Sequence, residues 1–135
     1  MARVLIVDDD TDLLAGQQAY LSGKGYEVQT AVTIEAGLKK ASTFRPDVIV
    51  VDLMMEHYDS GFVFCKKVRD LAGLADVPII MQTAAPRKMG FTFDAGTVSP
   101  ERAWMKVDEV LTKPVPLEHL TGKIEQHLSR RARKA

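Results

Sequence analysis

The sequence predicts an α/β fold, a doubly wound five-stranded parallel sheet covered by helices on both faces. Three observations predict it. Apolar runs alternate with helix-period patterns along the chain, which is the signature of successive parallel βα units. Two of those runs, Val4–Val7 and Val48–Val51, are unbroken, as in central strands buried on both sides. Polar residues then stand where apolar strands run out: Asp8-Asp9, Asp52, Thr83 and Lys113.

The elements follow in order. Val4–Val7 is the first strand, and Thr11 can cap a helix over about Asp12–Ser22 that Gly23 and Gly25 stop, with Asp10 the other candidate cap. Tyr26–Thr30 alternates apolar and polar residues, as an edge strand does. Thr33 caps the second helix, with Glu35 in its first turn and Pro46 beyond its end. After Val48–Val51, the residues Phe62, Cys65, Val68 and Ala72 trace one face of a third helix. Pro78–Gln82 is the fourth strand, and Ser99-Pro100-Glu101 opens a short fourth helix with a cap followed by proline. Val107–Leu111 is short and mixed, as the other edge strand. Pro116 opens a last helix whose inner stripe is Leu117, Leu120, Ile124 and Leu128.

Composition narrows the function classes. The 135 residues, 46% of them apolar, suffice for one domain with its own core and argue against disorder. No apolar run reaches the about 18 residues of a membrane span, and Met1-Ala2-Arg3 leads straight into a strand without signal-peptide architecture. A single cysteine, Cys65, excludes an internal disulfide and fits a reducing cytoplasm; it reads as a core residue. The formal net charge is zero, so no global attraction to nucleic acid is expected. The basic tail over 129–135, with Arg130, Arg131, Arg133 and Lys134, reads as a solvated helix end. His57 reads as a solvated loop residue, and His119 and His127 as surface residues. The whole is read as a single domain over 1–135, cytoplasmic, without an output domain.

Right-handed crossovers place every strand's carboxyl end on one edge of a doubly wound sheet, and ligands bind there where the winding reverses. If the first and third strands are neighbours, Asp8, Asp9 and Asp52 converge, flanked by Thr83 and Lys113. Carboxylates brought that close repel one another, and an oxygen-seeking divalent cation relieves the penalty. Mg²⁺ suits the set, because it takes few carboxylates and keeps room for waters and a phosphate oxygen. Asp9 and Asp52 are the expected direct ligands, with the backbone carbonyl of Met54, and Asp8 acts mostly through water. The carboxylate of Asp52 is then placed to attack a phosphoryl group. Lys113 offers a point charge and Thr83 a hydroxyl to the phosphoryl oxygens, while Ala84 and Ala85 leave room.

These residues, Val7-Asp8-Asp9, Asp52, Thr83-Ala84 and Lys113-Pro114, resemble the receiver domain of two-component response regulators, chemotaxis regulators included. The resemblance covers residues 3 to about 128, and its four motifs come in order, each at a strand end. It implies a flavodoxin-like sheet of strand order 2-1-3-4-5 and Mg²⁺-dependent phosphoryl transfer to Asp52. The donor would be a sensor histidine kinase or a histidine phosphotransfer protein. It also implies a cis Lys113–Pro114 bond and hydrolysis of the acyl phosphate by the domain itself. Such a domain is not a turnover enzyme on external substrates, binds no DNA directly, and signals through a downstream protein.

Three departures stand beside the resemblance. The loop from Leu53 to Gly61 is about one residue longer than in relatives, with Glu56 where they usually have proline. The interval from Thr83 to Lys113 spans 30 residues, through an insertion over 86–98 that carries Phe91 and Phe93. Val110, three before the lysine, stands where many relatives carry a switch aromatic. Phe91, Phe93 or Trp104 are candidates to replace it. The altered signalling face keeps a non-switching interaction module in view as an alternative. A dehalogenase-type phosphatase needs a general-acid aspartate where Met54 stands. A flavodoxin needs a phosphate loop where Asp8-Asp9-Asp10 would repel one.

Overall fold

The structure, a computed structural model, describes residues 2–52, 55, 60–84 and 107–134. Its elements are β1 (Arg3–Val7), α1 (Thr11–Gly23), β2 (Glu27–Ala31), α2 (Ile34–Phe44), β3 (Val48–Asp52), α3 (Ser60–Arg69), β4 (Ile79–Thr83), β5 (Glu109–Thr112) and α4 (Leu117–Lys134). All strand pairs are parallel, and the sheet order is β2-β1-β3-β4-β5. The expected short helix from Ser99 lies outside the described residues, as do the insertion over 86–98 and Trp104.

Two cores form because side chains alternate across each strand. Val4, Ile6, Val48, Val50 and Ile80 pack with Leu14 and Leu21 of α1 and Leu120 and Ile124 of α4. Leu5, Val7, Ile49, Val51, Ile79 and Met81 pack on the other face with Ala41 and Phe44 of α2 and Phe64 and Cys65 of α3. Burial on both faces explains the unbroken apolar runs of β1 and β3.

The termini of the helices come from local chemistry. Asp10, not Thr11, caps α1: its Oδ1 accepts from Leu13 N at 3.0 Å. Thr33 caps α2 as expected, accepting from Ala36 N at 3.0 Å. The inner face of α3 is Phe64, Cys65 and Val68, and the helix ends at Arg69, so Ala72 lies beyond it and is exposed. The cause is a reversal at Gly73, whose φ of +79° favours glycine, and Leu74 turns back into the core. The Arg45 guanidinium fixes this turn by donating to Ala72 O at 2.7 Å. Burial pushes the Cys65 thiol up to about 12, so it is an inert core residue.

Two expectations on α4 are corrected. His127 is 6% exposed, because it follows Ile124 by three residues and shares the inner stripe. Its Nε2 lies 2.7 Å from Glu109 Oε1 of β5, and Lys123 Nζ lies 2.8 Å from the other oxygen, in an ion pair without hydrogen-bond geometry. The tail is not simply solvated either: Arg131 donates to Asp47 O at 2.9 Å, anchoring the end of α4 to the turn that enters β3. His119 is exposed as expected.

Gly37 marks how tightly α2 lies on the sheet. A Cβ there would sit 3.0 Å from Phe64 Cε1 and 3.0 Å from Val7 Cγ2, both in fully buried side chains that have nowhere to retreat. Gly37→Ala is therefore expected to lose about 1–3 kcal/mol despite alanine's better helix propensity. Gly122→Ala on α4, where the added methyl meets nothing within 4 Å, should gain about 0.5–1 kcal/mol. Urea denaturation of the pair checks both signs.

Candidate functional site at the carboxyl edge of the sheet

The site is built by the ends of β1, β3 and β4 and by the turn after β5. Alternation carries Asp8 onto the α1/α4 side of the sheet after Ile6, and Asp52 onto the same side after Val50. The backbone N–H of Asp8 still pairs with Ala31 O at 3.0 Å, so the ladder holds the residue rigidly beyond the last strand position. Asp8 is fully buried and Asp52 is 6% exposed, while Asp9 faces solvent. One carboxylate oxygen from each of Asp8, Asp9 and Asp52 lies within 4.8 Å of the others. The fold thus brings together the three carboxylates that the sequence places at strand ends.

Lys113 answers their charge. Its Nζ donates to Asp8 Oδ2 at 2.8 Å and to Asp52 Oδ2 at 3.2 Å. The Lys113–Pro114 peptide is cis. Burial pulls the Lys113 ammonium down, but the hydrogen bond to Asp8 and the charges of Asp52 and Asp8 outweigh it, so its pKa lies above the ordinary 10.5. Asp8 has both oxygens engaged, since Oδ1 accepts from Asp10 N at 3.0 Å and so ties the carboxylate to the start of α1. Thr83, 1% exposed, ends β4, and its carbonyl accepts from Lys113 N at 2.9 Å. Ala84 is exposed beside it, whereas Ala85, Met54 and His57 lie outside the described residues.

One polar pair at the site went unnoticed in the sequence. Gln17 of α1 and Gln82 of β4, 1% and 0% exposed, exchange two hydrogen bonds at 3.1 and 3.2 Å. Gln82 is the register partner of Asp52. The available signal was a glutamine inside an apolar stripe, between Leu14 and Leu21.

A cluster of three carboxylates, two of them buried, with a bridging lysine at the switch point of a 2-1-3-4-5 sheet defines a class of protein. The chain belongs to the response regulator receiver domain family, whose model matches residues 4–125. The chemotaxis response regulator CheY4 of Vibrio cholerae superposes with a TM-score of 0.78 at 32% identity, over 94% of this chain and 98% of that one. A CheY-like receiver domain protein of Methanospirillum hungatei gives 0.79 at 26% identity, over 100% and 99%. Among curated relatives, the DNA-binding dual master transcriptional regulator RpaA of Synechocystis is 33% identical over 132 residues, 96% of this chain and 50% of RpaA. The alkaline phosphatase synthesis transcriptional regulatory protein PhoP of Bacillus subtilis is 33% identical over 128 residues, 95% of this chain and 49% of PhoP. The chain spans about half the length of these curated relatives. Among the described residues, no helix is long and apolar enough to cross a membrane.

Proposed function

We propose that this receiver domain accepts a phosphoryl group on Asp52 from the phosphohistidine of a sensor histidine kinase or a histidine phosphotransfer protein. The observation that carries the reading is the Asp52 carboxylate itself, nearly buried yet set between two further carboxylates and the Lys113 ammonium. A carboxylate in that position is costly unless its charge is used.

In the transfer, an Asp52 oxygen forms a bond to phosphorus as the donor's N–P bond breaks, and the donor imidazole takes up a proton from solvent. Lys113 is shared between Asp8 and Asp52 before the reaction and follows the charge onto a phosphoryl oxygen. The Thr83 hydroxyl donates to another. Asp8, buried and held by Asp10 N and Lys113, keeps the acidic loop in place. The three carboxylates fit Mg²⁺: Asp9 and Asp52 would hold it directly and Asp8 through water. Bound there, the ion would neutralise both the carboxylates and an incoming phosphoryl group. The domain assists its own phosphorylation and dephosphorylation without turning over an external substrate, and it signals by contact with another protein.

Two outcomes are expected without any partner protein. Mg²⁺ at about 100 times its dissociation constant should raise unfolding stability by about 2.7 kcal/mol, against a K⁺ control of equal ionic strength. Beryllofluoride with Mg²⁺ should move the backbone amide resonances of Asp52, Thr83 and Lys113. A spectrum unchanged by both additions would contradict the proposal.

A further inference from the structure

The Gln17–Gln82 pair is an odd choice for stability. Both residues are almost wholly buried, Gln17 between the core residues Leu14 and Leu21 of α1 and Gln82 in register with Leu111 of β5. Two apolar side chains of the same shape would be nearly neutral there or stabilising, whereas losing one amide strands the other at about 1–3 kcal/mol. What the amides add is direction. Two reciprocal hydrogen bonds admit one arrangement of α1 against β4, while apolar packing tolerates sliding.

That arrangement bears on the acidic site. β4 presents Gln82 beside Asp52 in register, and Thr83 is the next residue. α1 begins at the Asp10 cap, whose N–H is held by Asp8. The helix is therefore tied to the carboxylates at its first turn and to β4 fewer than two turns later, at Gln17. The loop carrying Asp8 and Asp9 and the strand end carrying Thr83 are set relative to each other through this link.

We infer that Gln17 and Gln82 are positioning residues for the cation and phosphoryl site, fixing the Asp8-Asp9 loop against Asp52 and Thr83. The inference rests on the phosphoacceptor reading and adds two residues that touch neither ion nor phosphoryl group.

The test compares wild type with Gln17→Met and with the double variant Gln17→Met/Gln82→Met. Urea denaturation reads stability, and amide-resonance titrations read Mg²⁺ and beryllofluoride affinity. The single variant is expected to lose stability, because Gln82 is stranded. The double variant is expected to recover wild-type stability yet bind Mg²⁺ roughly 10-fold more weakly, as when a partner behind a metal ligand is lost. Wild-type affinity in the recovered double variant would make the pair structural only and overturn the inference, leaving the phosphoacceptor reading intact. Wild type that binds neither probe would overturn both.

Discussion

Asp52→Asn is expected to abolish acyl phosphate formation from a phosphohistidine donor while leaving the domain folded. Asparagine keeps the shape of the side chain but offers an amide where a carboxylate oxygen must attack phosphorus. The variant also removes one of three negative charges whose oxygens lie within 4.8 Å. Without a cation, that relief of like-charge repulsion offsets the loss of the 3.2 Å contact to Lys113, which keeps Asp8 at 2.8 Å. Stability in chelator should therefore stay within about 1 kcal/mol of wild type. The stabilisation by Mg²⁺ should shrink sharply. Unfolding curves in chelator and in Mg²⁺ separate this outcome from misfolding, which would lower both.

Lys113→Met acts on the same charges with the opposite sign. Among the described residues, Lys113 is the cation that the fold sets against a fully buried Asp8 and a nearly buried Asp52. Breaking a buried pair by removing one partner costs about 3–5 kcal/mol, because the stranded charge stays desolvated. Total stabilities of small domains are about 5–15 kcal/mol, so the loss should be plain in chelator. Mg²⁺ should restore part of it by supplying a replacement charge. The wild-type pair also predicts an alkaline signature. The folded pKa of Lys113 lies above the ordinary 10.5, so its contribution is whole below that pH and fades as pH rises through the folded value. Wild type should lose stability in that range, and Lys113→Met should lose less. Equal alkaline slopes in the two proteins would show that the pair contributes nothing to folding.

The carboxyl edge with its acidic cluster was legible because strand ends are simple to read. An apolar run of four residues followed by aspartate, as at Val48–Val51 and Asp52, marks both a buried strand and the point where it leaves the core. Edge strands were less sharp. β2 and β5 each begin later than their apolar pattern predicts, Glu27 for Tyr26 and Glu109 for Val107, since an edge has pairing on one side only. Both cap candidates of α1 stood in the sequence and the choice of Asp10 over Thr11 is local, whereas Ala72 fell outside α3 through a turn at Gly73 that Arg45, far along the chain, helps to hold. His127 and Glu109 needed the packing of α4 on β5 before their contact was visible. The glutamine pair was hidden for the same reason: Gln17 interrupts the apolar stripe of α1, but its partner Gln82 is 65 residues away. The carbonyl of Met54 and the insertion over 86–98 lie outside the described residues. Val110, where the resemblance leads one to look for an aromatic, is a buried core residue.

The most direct measurement locates the phosphoryl group. The protein would be treated with a phosphorylated histidine phosphotransfer protein and Mg²⁺, reduced with borohydride, digested and sequenced by mass spectrometry. Reduction of an aspartyl phosphate leaves homoserine, and the account predicts it at position 52 alone. Homoserine at another aspartate, or none at any position under conditions where a known receiver is labelled, would contradict it.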